Sequence, residues 1–333
     1  MALLRSPGEG GTLQEESRKR SLSLIMSEYG ILFVFLLLVL ILSLVTPNFL
    51  RSRNILNVLR QTSINGLLSI GMTFVILTGG IDLSVGSVLA FAGIVSASFA
   101  SDAIGGQIYH PIISMGIGLL AGGALGAVNG IFVAKWRMPA FVVTLGMLSI
   151  ARGFTFLTTD GMPVPRIDPR FLIIGQGVFL GVPVPVWIFL GVFAAAWVVL
   201  YKTRYGRYIY AVGGNETSAK ISGINTRLVI FTVYVISGVL SALGGAILTA
   251  RTTAGLPQAG QAYELDAIAA VVIGGTSLSG GQGQIIGTLF GALLLGVINN
   301  GLDLLGVSSY FQLVVKGLII IGAVLLDSLR KRD

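Results

Sequence analysis

Tyr29-Gly30-Ile31-Leu32-Phe33-Val34-Phe35-Leu36-Leu37-Leu38-Val39-Leu40-Ile41-Leu42-Ser43-Leu44-Val45 runs without a single charge. Crossing the hydrocarbon core takes about 20 apolar residues in a helix. No small-residue cleavage site follows the run, so it reads as a membrane anchor rather than a removed leader. The segment before it, residues 1–28, is polar and carries Arg18, Lys19 and Arg20. The same window moved outward gives further spans near 57 to 79, 83 to 101, 112 to 134, 139 to 159, 184 to 201, 228 to 250, 265 to 281, 284 to 303 and 307 to 327. The fold class expected is an all-α integral membrane protein of about ten transmembrane helices, some of them short and discontinuous.

Composition agrees. Of 333 residues, 54% are hydrophobic and 11% charged, against about 25% charged in a soluble domain. Ten spans leave little more than about 130 residues for tails and loops, which is too little for a catalytic domain outside the membrane. The chain has no cysteine and one histidine, His110. Thiolate nucleophiles, disulfides and Cys- or His-built metal sites are thereby excluded.

The net charge of +8 is read by position. With the N-terminus in the cytoplasm, fourteen Lys and Arg residues fall inside, including Arg5, Lys135, Arg137, Lys202, Arg204, Arg207, Lys220, Arg227, Arg330, Lys331 and Arg332. Six fall outside: Arg51, Arg53, Arg60, Arg166, Arg170 and Arg251. The balance places both termini in the cytoplasm. Arg51, Arg53 and Arg60 run against it locally, and an arrangement of eight or nine spans re-sides that segment. The expected organisation is an N-terminal tail at 1–28, a membrane domain at 29–327 with a cytoplasmic loop at 202–227, and a C-terminal tail at 328–333.

Glycine occupies 46 positions, about twice the usual share. Gly116, Gly118, Gly122, Gly123, Gly126 and Gly130 lie in one span, where small residues let membrane helices approach closely. Two glycine runs meet polar residues at membrane depth. Gly79-Gly80-Ile81-Asp82-Leu83-Ser84-Val85-Gly86 and Gly274-Gly275-Thr276-Ser277-Leu278-Ser279-Gly280-Gly281 share Gly-Gly-x-x-Leu-Ser-x-Gly. They hint at a duplicated architecture with broken helices around a pathway, although eight positions in a glycine-rich chain also match by chance. Leu278-Ser279-Gly280-Gly281-Gln282 spells an ABC ATPase signature, but no Gly-x-x-x-x-Gly-Lys-Ser/Thr phosphate loop accompanies it. It is a coincidence, and this chain is expected to hydrolyse no ATP itself.

The cytoplasmic loop continues through Gly213-Gly214-Asn215-Glu216-Thr217-Ser218-Ala219-Lys220-Ile221-Ser222-Gly223-Ile224. Asn215 or Thr217 suits the cap of a short helix, Glu216 its first turn and Gly223 its stop. Such a helix is a handle for a partner; the plainer alternative is a solvated basic loop.

Together, the 79–86 run, Asn129-Gly130, Pro139-Ala140-Phe141-Val142-Val143-Thr144-Leu145-Gly146, Tyr205-Gly206-Arg207, Ala219-Lys220-Ile221-Ser222-Gly223-Ile224 and Gly274-Gly275-Thr276 resemble the permeases of ribose-type ABC sugar importers. The resemblance covers nearly everything from residue 29. It implies a type II importer-like fold in the bacterial inner membrane. It also implies two permease copies, identical or paired with a related permease, two ATP-binding subunits that hold ATP and Mg, and a periplasmic or lipid-anchored sugar-binding protein. No cofactor, metal or nucleic acid is implied for this chain. Gly214, Asn215, Glu216, Ala219, Lys220 and Gly223 would form the coupling helix that docks on the ATPase. Many importer permeases have Glu-Ala-Ala where this chain has Glu216-Thr217-Ser218, which shifts the expected docking contacts.

A pathway for an uncharged sugar needs polar groups that exchange weak hydrogen bonds. The candidates are Asn65, Asp82, Ser84, Asn129, Thr144, Asn299 and Asn300. The competing role for each Asn is a hydrogen bond to a neighbouring helix; for Asp82, and for Glu264 and Asp266, it is a helix cap. Arg152 and Lys316 lie inside spans and need a carboxylate, a wet cavity or a snorkelling route. An ion-coupled secondary transporter is the alternative function, and would need a titratable carboxylate at mid-membrane. A membrane enzyme lacks the paired acids or nucleophile it would need.

Overall fold

The computed structural model describes residues 31–330. The N-terminal tail, the first two residues of the 29–46 span, and Lys331 and Arg332 of the C-terminal tail lie outside the described residues. Fourteen helices follow one another: α1 Ile31–Val45, α2 Ser52–Leu77, α3 Val85–Phe99, α4 Asp102–Gly105, α5 Pro111–Ala134, α6 Ala140–Thr159, α7 Pro169–Gln176, α8 Val184–Lys202, α9 Arg204–Gly214, α10 Glu216–Ile221, α11 Thr226–Thr252, α12 Tyr263–Ile273, α13 Ile285–Leu304 and α14 Ser309–Arg330. A two-stranded hairpin, β1 Val178–Phe179 with β2 Val182–Pro183, stands between α7 and α8.

Each apolar window of the sequence holds one helix. Five of these, α5, α6, α8, α11 and α13, are long and apolar enough by length and composition to cross a membrane. The window at 265–281 is helical only over Tyr263–Ile273, about 16 Å of rise, because the chain leaves the helix at Gly274 and Gly275. Likewise α3 has 15 residues and rises about 22 Å. α1 is equally short over its described residues, but only α3 and α12 adjoin a glycine run.

The long helix α11 is the centre of the bundle, packed against α5, α3 and α2. Glycines set how close the axes come. Along α5 the buried face repeats every four residues at Ser114, Gly118, Gly122, Gly126 and Gly130. A Cβ on Gly122 would stand 2.7 Å from the Gly238 carbonyl oxygen of α11, and one on Gly245 would stand 3.0 Å from the Gly93 nitrogen of α3. Gly116 faces open space, so the glycines of this span divide by face as helix–helix packing without a hydrophobic driving force demands. The core around Leu67, Leu68, Ile70, Met72, Phe74, Val75, Ile76, Leu77 and Tyr234 fills the space between α2 and α11.

Loops at the end of the bundle far from α9 are pinned by polar caps. His110 caps α5, its Nδ1 accepting from the Ile112 N–H at 3.4 Å. Asp168 caps α7, accepting from the Arg170 N–H at 2.8 Å while the Arg170 guanidinium closes on its other oxygen at 2.7 Å. Hydrogen bonding from the Arg170 side chain holds the Asp168 carboxyl below its ordinary value of 3.8. A depressed folded value means that the cap is fully present above that pH and is lost as pH falls through the folded value. Amide exchange of residues 169–176 should therefore accelerate as pH drops below about 4, beyond the intrinsic change, and an Asp168→Asn variant should lose that pH dependence.

Candidate functional site

The break between α2 and α3 is built around a buried carboxylate. Asp82 is 1% exposed. Its Oδ1 accepts from the Ser84 N–H at 3.0 Å and the Ser84 hydroxyl at 2.6 Å, and its Oδ2 accepts from the Ser237 hydroxyl of α11 at 2.8 Å. The Asn129 amide of α5 donates to Ser84 Oγ at 2.9 Å. From α6, the Thr144 hydroxyl reaches the Ile81 carbonyl at 3.1 Å as well as Ala140 of its own helix at 2.9 Å. Four of the seven pathway candidates thus converge on one loop, all of them shut inside the chain. Ser84 N-caps α3 in sequence position without a side-chain cap bond, because its hydroxyl is turned onto Asp82. Tyr234 was missed from sequence: its Oη is buried without a partner and lies against Gly80, whose Cβ would stand 2.5 Å away.

The remaining three candidates lie on α2 (Asn65) and on α13 (Asn299 and Asn300). Asn300 and Asn54 exchange amide hydrogen bonds at 2.9 and 2.8 Å. Thr73 and Thr288 share one at 2.9 Å further along. Asn65 and Asn299 are buried, each with its amide oxygen unpartnered.

Arg152 and Lys316 both find partners. Arg152 donates from Nη1 to the Pro257 and Ala259 carbonyls, each at 2.8 Å, with Glu264 near enough to interact electrostatically. It thereby fastens α6 to the loop between α11 and α12. Lys316 of α14 pairs with Asp266 of α12 at 2.8 Å, with the Asn299 amide beside the carboxylate. Asp266 is therefore more than a helix cap. Arg152→Gln, which shortens the side chain and removes its charge and with it the reach of Nη1 to both carbonyls, should slow transport several-fold with α6 still inserted, as uptake in vesicles would show.

The two glycine runs end their helices identically. Gly79, φ +80°, and Gly275, φ +86°, occupy the left-handed position after α2 and α12. Gly80 N–H returns to the Val75 carbonyl at 3.1 Å, and Thr276 N–H to the Val271 carbonyl at 3.1 Å, the same Schellman closure. The matching positions are Gly79 and Gly275, one residue out of step with the Gly-Gly-x-x-Leu-Ser-x-Gly alignment. The eight-residue likeness reflects a shared way of stopping a helix, and the following turns differ in length. The Leu278–Gln282 pentapeptide lies in the second turn, ahead of α13, with Ser279 and Gln282 exposed.

On the loop side, Asn215 rather than Thr217 caps α10, accepting from the Ser218 N–H at 2.8 Å. Glu216 accepts from the Thr226 hydroxyl at 3.0 Å and lies 3.6 Å from Arg137. Gly223 has φ +84°, with open space around it. Ala219 points into the core, whereas Lys220 is exposed and Ile221 is 83% exposed. Gly214 presents its open side to solvent.

A family model described as the permease component of branched-chain amino acid transport systems matches residues 54–324. The chain is 48% identical over 317 residues to the ribose import permease protein RbsC of Bacillus subtilis, covering 95% of this chain and 97% of that one. It is 50% identical over 307 residues to RbsC of Escherichia coli K12, covering 91% and 94%. The chain belongs to the ribose-type ABC sugar-importer permeases. The permease is also 40% identical over 316 residues to the D-allose transport system permease protein AlsC of Escherichia coli K12, covering 94% and 95%. No solved structure matches it. As a member of this family the permease is a multi-pass inner-membrane protein, and its family role is passage rather than catalysis.

Proposed function

We propose that this permease carries ribose, or a monosaccharide of closely similar shape, inward across the bacterial inner membrane. The supporting observation is identity: 48 to 50% to ribose import permeases over nearly the full length of both chains, against 40% to the allose permease. An uncharged sugar gains nothing from the membrane potential, so accumulation requires an outside source of free energy. Two permease copies, like or paired with a related permease, would work with two ATP-binding subunits that hold ATP and Mg, and with a periplasmic or lipid-anchored binding protein that delivers the sugar. Ten spans at 29–327, with both tails in the cytoplasm, put the 202–227 loop on the ATPase side. There α10 is the docking element, with Gly214, Asn215, Glu216, Lys220 and Gly223 at its surface and Ala219 anchoring it from beneath.

Asp82, Ser84, Asn129 and Thr144 hold the broken α2–α3 junction in shape beside the pathway. Asn65 and Asn299, whose amide oxygens have no partner, and Asn300 are the groups from which a sugar would borrow hydrogen bonds, since weak, exchangeable contacts let cargo leave. Rocking between outward- and inward-facing states would follow ATP-driven closure of the partner.

Purification of the tagged permease from native membranes tests this. Recovery of an ATP-binding subunit at about one copy per permease, with uptake of ribose that stops without ATP, is the expected result. Accumulation on an ion gradient by the permease alone would overturn it in favour of secondary transport. Gly223→Leu forces a branched side chain onto a left-handed residue at the docking surface, which costs about 1 to 2 kcal/mol locally. Uptake should fall at least about tenfold while membrane insertion is normal; undiminished uptake would remove α10 as the docking element.

A further inference from the structure

The last turn of α9 lies backbone to backbone against the ends of both broken helices. The Gly281 N–H, in the turn after α12, donates to the Leu77 carbonyl that ends α2, at 2.9 Å. Gly213 of α9 sits over that bond: a Cβ there would stand 2.5 Å from the Gly281 nitrogen and closer still to the Leu77 oxygen. A Cβ on Gly280 would stand 2.7 Å from the Gly79 nitrogen, and one on Gly281 would stand 2.6 Å from the Gly214 Cα. Beside them the Tyr210 hydroxyl donates to the Gly283 carbonyl at 3.0 Å. The crossings of α5 and α3 with α11 are also lined by glycine backbone, but each of them brings together two helices only. Here three chain segments touch through peptide groups alone, so none can move without displacing the others.

At this same end α9 is continuous with α10 through Asn215, whose N–H also returns to the Ala211 carbonyl at 3.1 Å. We infer that displacement of α10 enters the membrane bundle at this junction. Tyr210, Gly213 and Gly281 are the positioning residues that pass it at once to the ends of α2 and α12. The inference rests on the docking role proposed for α10. It accounts for two features of the sequence: a second glycine run unlike the first after its helix stop, and glycine at 213, where any side chain would separate α9 from both loops.

The test uses the permease assembled with its ATP-binding and sugar-binding partners in vesicles, reading sugar moved per ATP hydrolysed. Gly213→Ala should lower that ratio about tenfold, within the range for residues on a coupling route, with the ATP-binding subunit still bound. Tyr210→Phe, which removes one hydroxyl and keeps the ring, should lower it about threefold. Gly116→Ala, at a glycine of α5 with open space around it, should leave it unchanged. A wild-type ratio in both Gly213→Ala and Tyr210→Phe overturns the inference. Amide exchange of the wild-type assembly gives an answer independent of any variant. Saturation with a non-hydrolysable ATP analogue should alter exchange in residues 216–221 and in residues 277–284. Change in 216–221 alone overturns the junction and leaves the docking role standing. No change in either removes the docking role, and the junction with it.

Discussion

Asp82→Ala is expected to destabilise the permease by about 3 to 5 kcal/mol, the cost of leaving several buried donors without their acceptor. In the native structure one carboxylate receives the Ser84 N–H, the Ser84 hydroxyl and the Ser237 hydroxyl. Ser84 also receives the Asn129 amide, so removal of the acid loosens ties among α3, α5 and α11 together. Asp82→Asn is the informative companion. Its amide oxygen can keep both Ser84 donors, and the Ser237 hydroxyl can turn to accept from the new NH2, since a hydroxyl both donates and accepts. The Asn variant should therefore lose only about 1 to 2 kcal/mol. Thermal inactivation in detergent, followed by uptake measurements on the folded fraction, separates the two. An Ala variant as stable as the native protein would show that the network is not what holds the α2–α3 break. An Asn variant that folds and transports normally would show that the charge itself has no part in passage.

The helices were readable from sequence because apolar length is a strong signal in a membrane, where every backbone group must bond within its own segment. Where the expectation ran long, at 265–281, the window average had no means of weighing two adjacent glycines. Hydropathy scores their composition, whereas the helix stops on the φ of +86° that Gly275 adopts. The hairpin was hidden for the converse reason: its turn uses Leu180 at φ +52° ahead of Gly181, a conformation that leucine does not advertise. Site residues were legible as types rather than as sets. An acid, two hydroxyl residues and an asparagine in apolar surroundings marked Asp82, Ser84, Thr144 and Asn129 individually. Only the crossing of four helices brings them onto one loop. Arg152 shows the limit of pairing by charge, because its direct partners are the backbone carbonyls of Pro257 and Ala259, which no pattern of side chains encodes.

Lys316 and Asp266 carry the other large effect, and its sign depends on how many charges are removed. The pair is close, at 2.8 Å, and well covered, with side-chain exposures of 16% and 3%. Lys316→Met leaves the Asp266 carboxylate buried with only the Asn299 amide beside it. Breaking a buried pair from one side costs about 3 to 5 kcal/mol, and Asp266→Asn, which strands the ammonium, should cost somewhat less because a lysine stem can carry its head toward an interface. The double variant Asp266→Asn/Lys316→Met should recover most of that loss, since replacing a buried pair by uncharged groups of similar volume is often neutral or better. A double-mutant cycle on thermal inactivation measures this directly. Equal, additive losses in the two single variants and their double would mean that the pair contributes nothing as a pair. A double variant that regains stability and still fails to transport would assign the ion pair to the working cycle of the permease, because the packing of α14 on α12 would then be intact while passage is not.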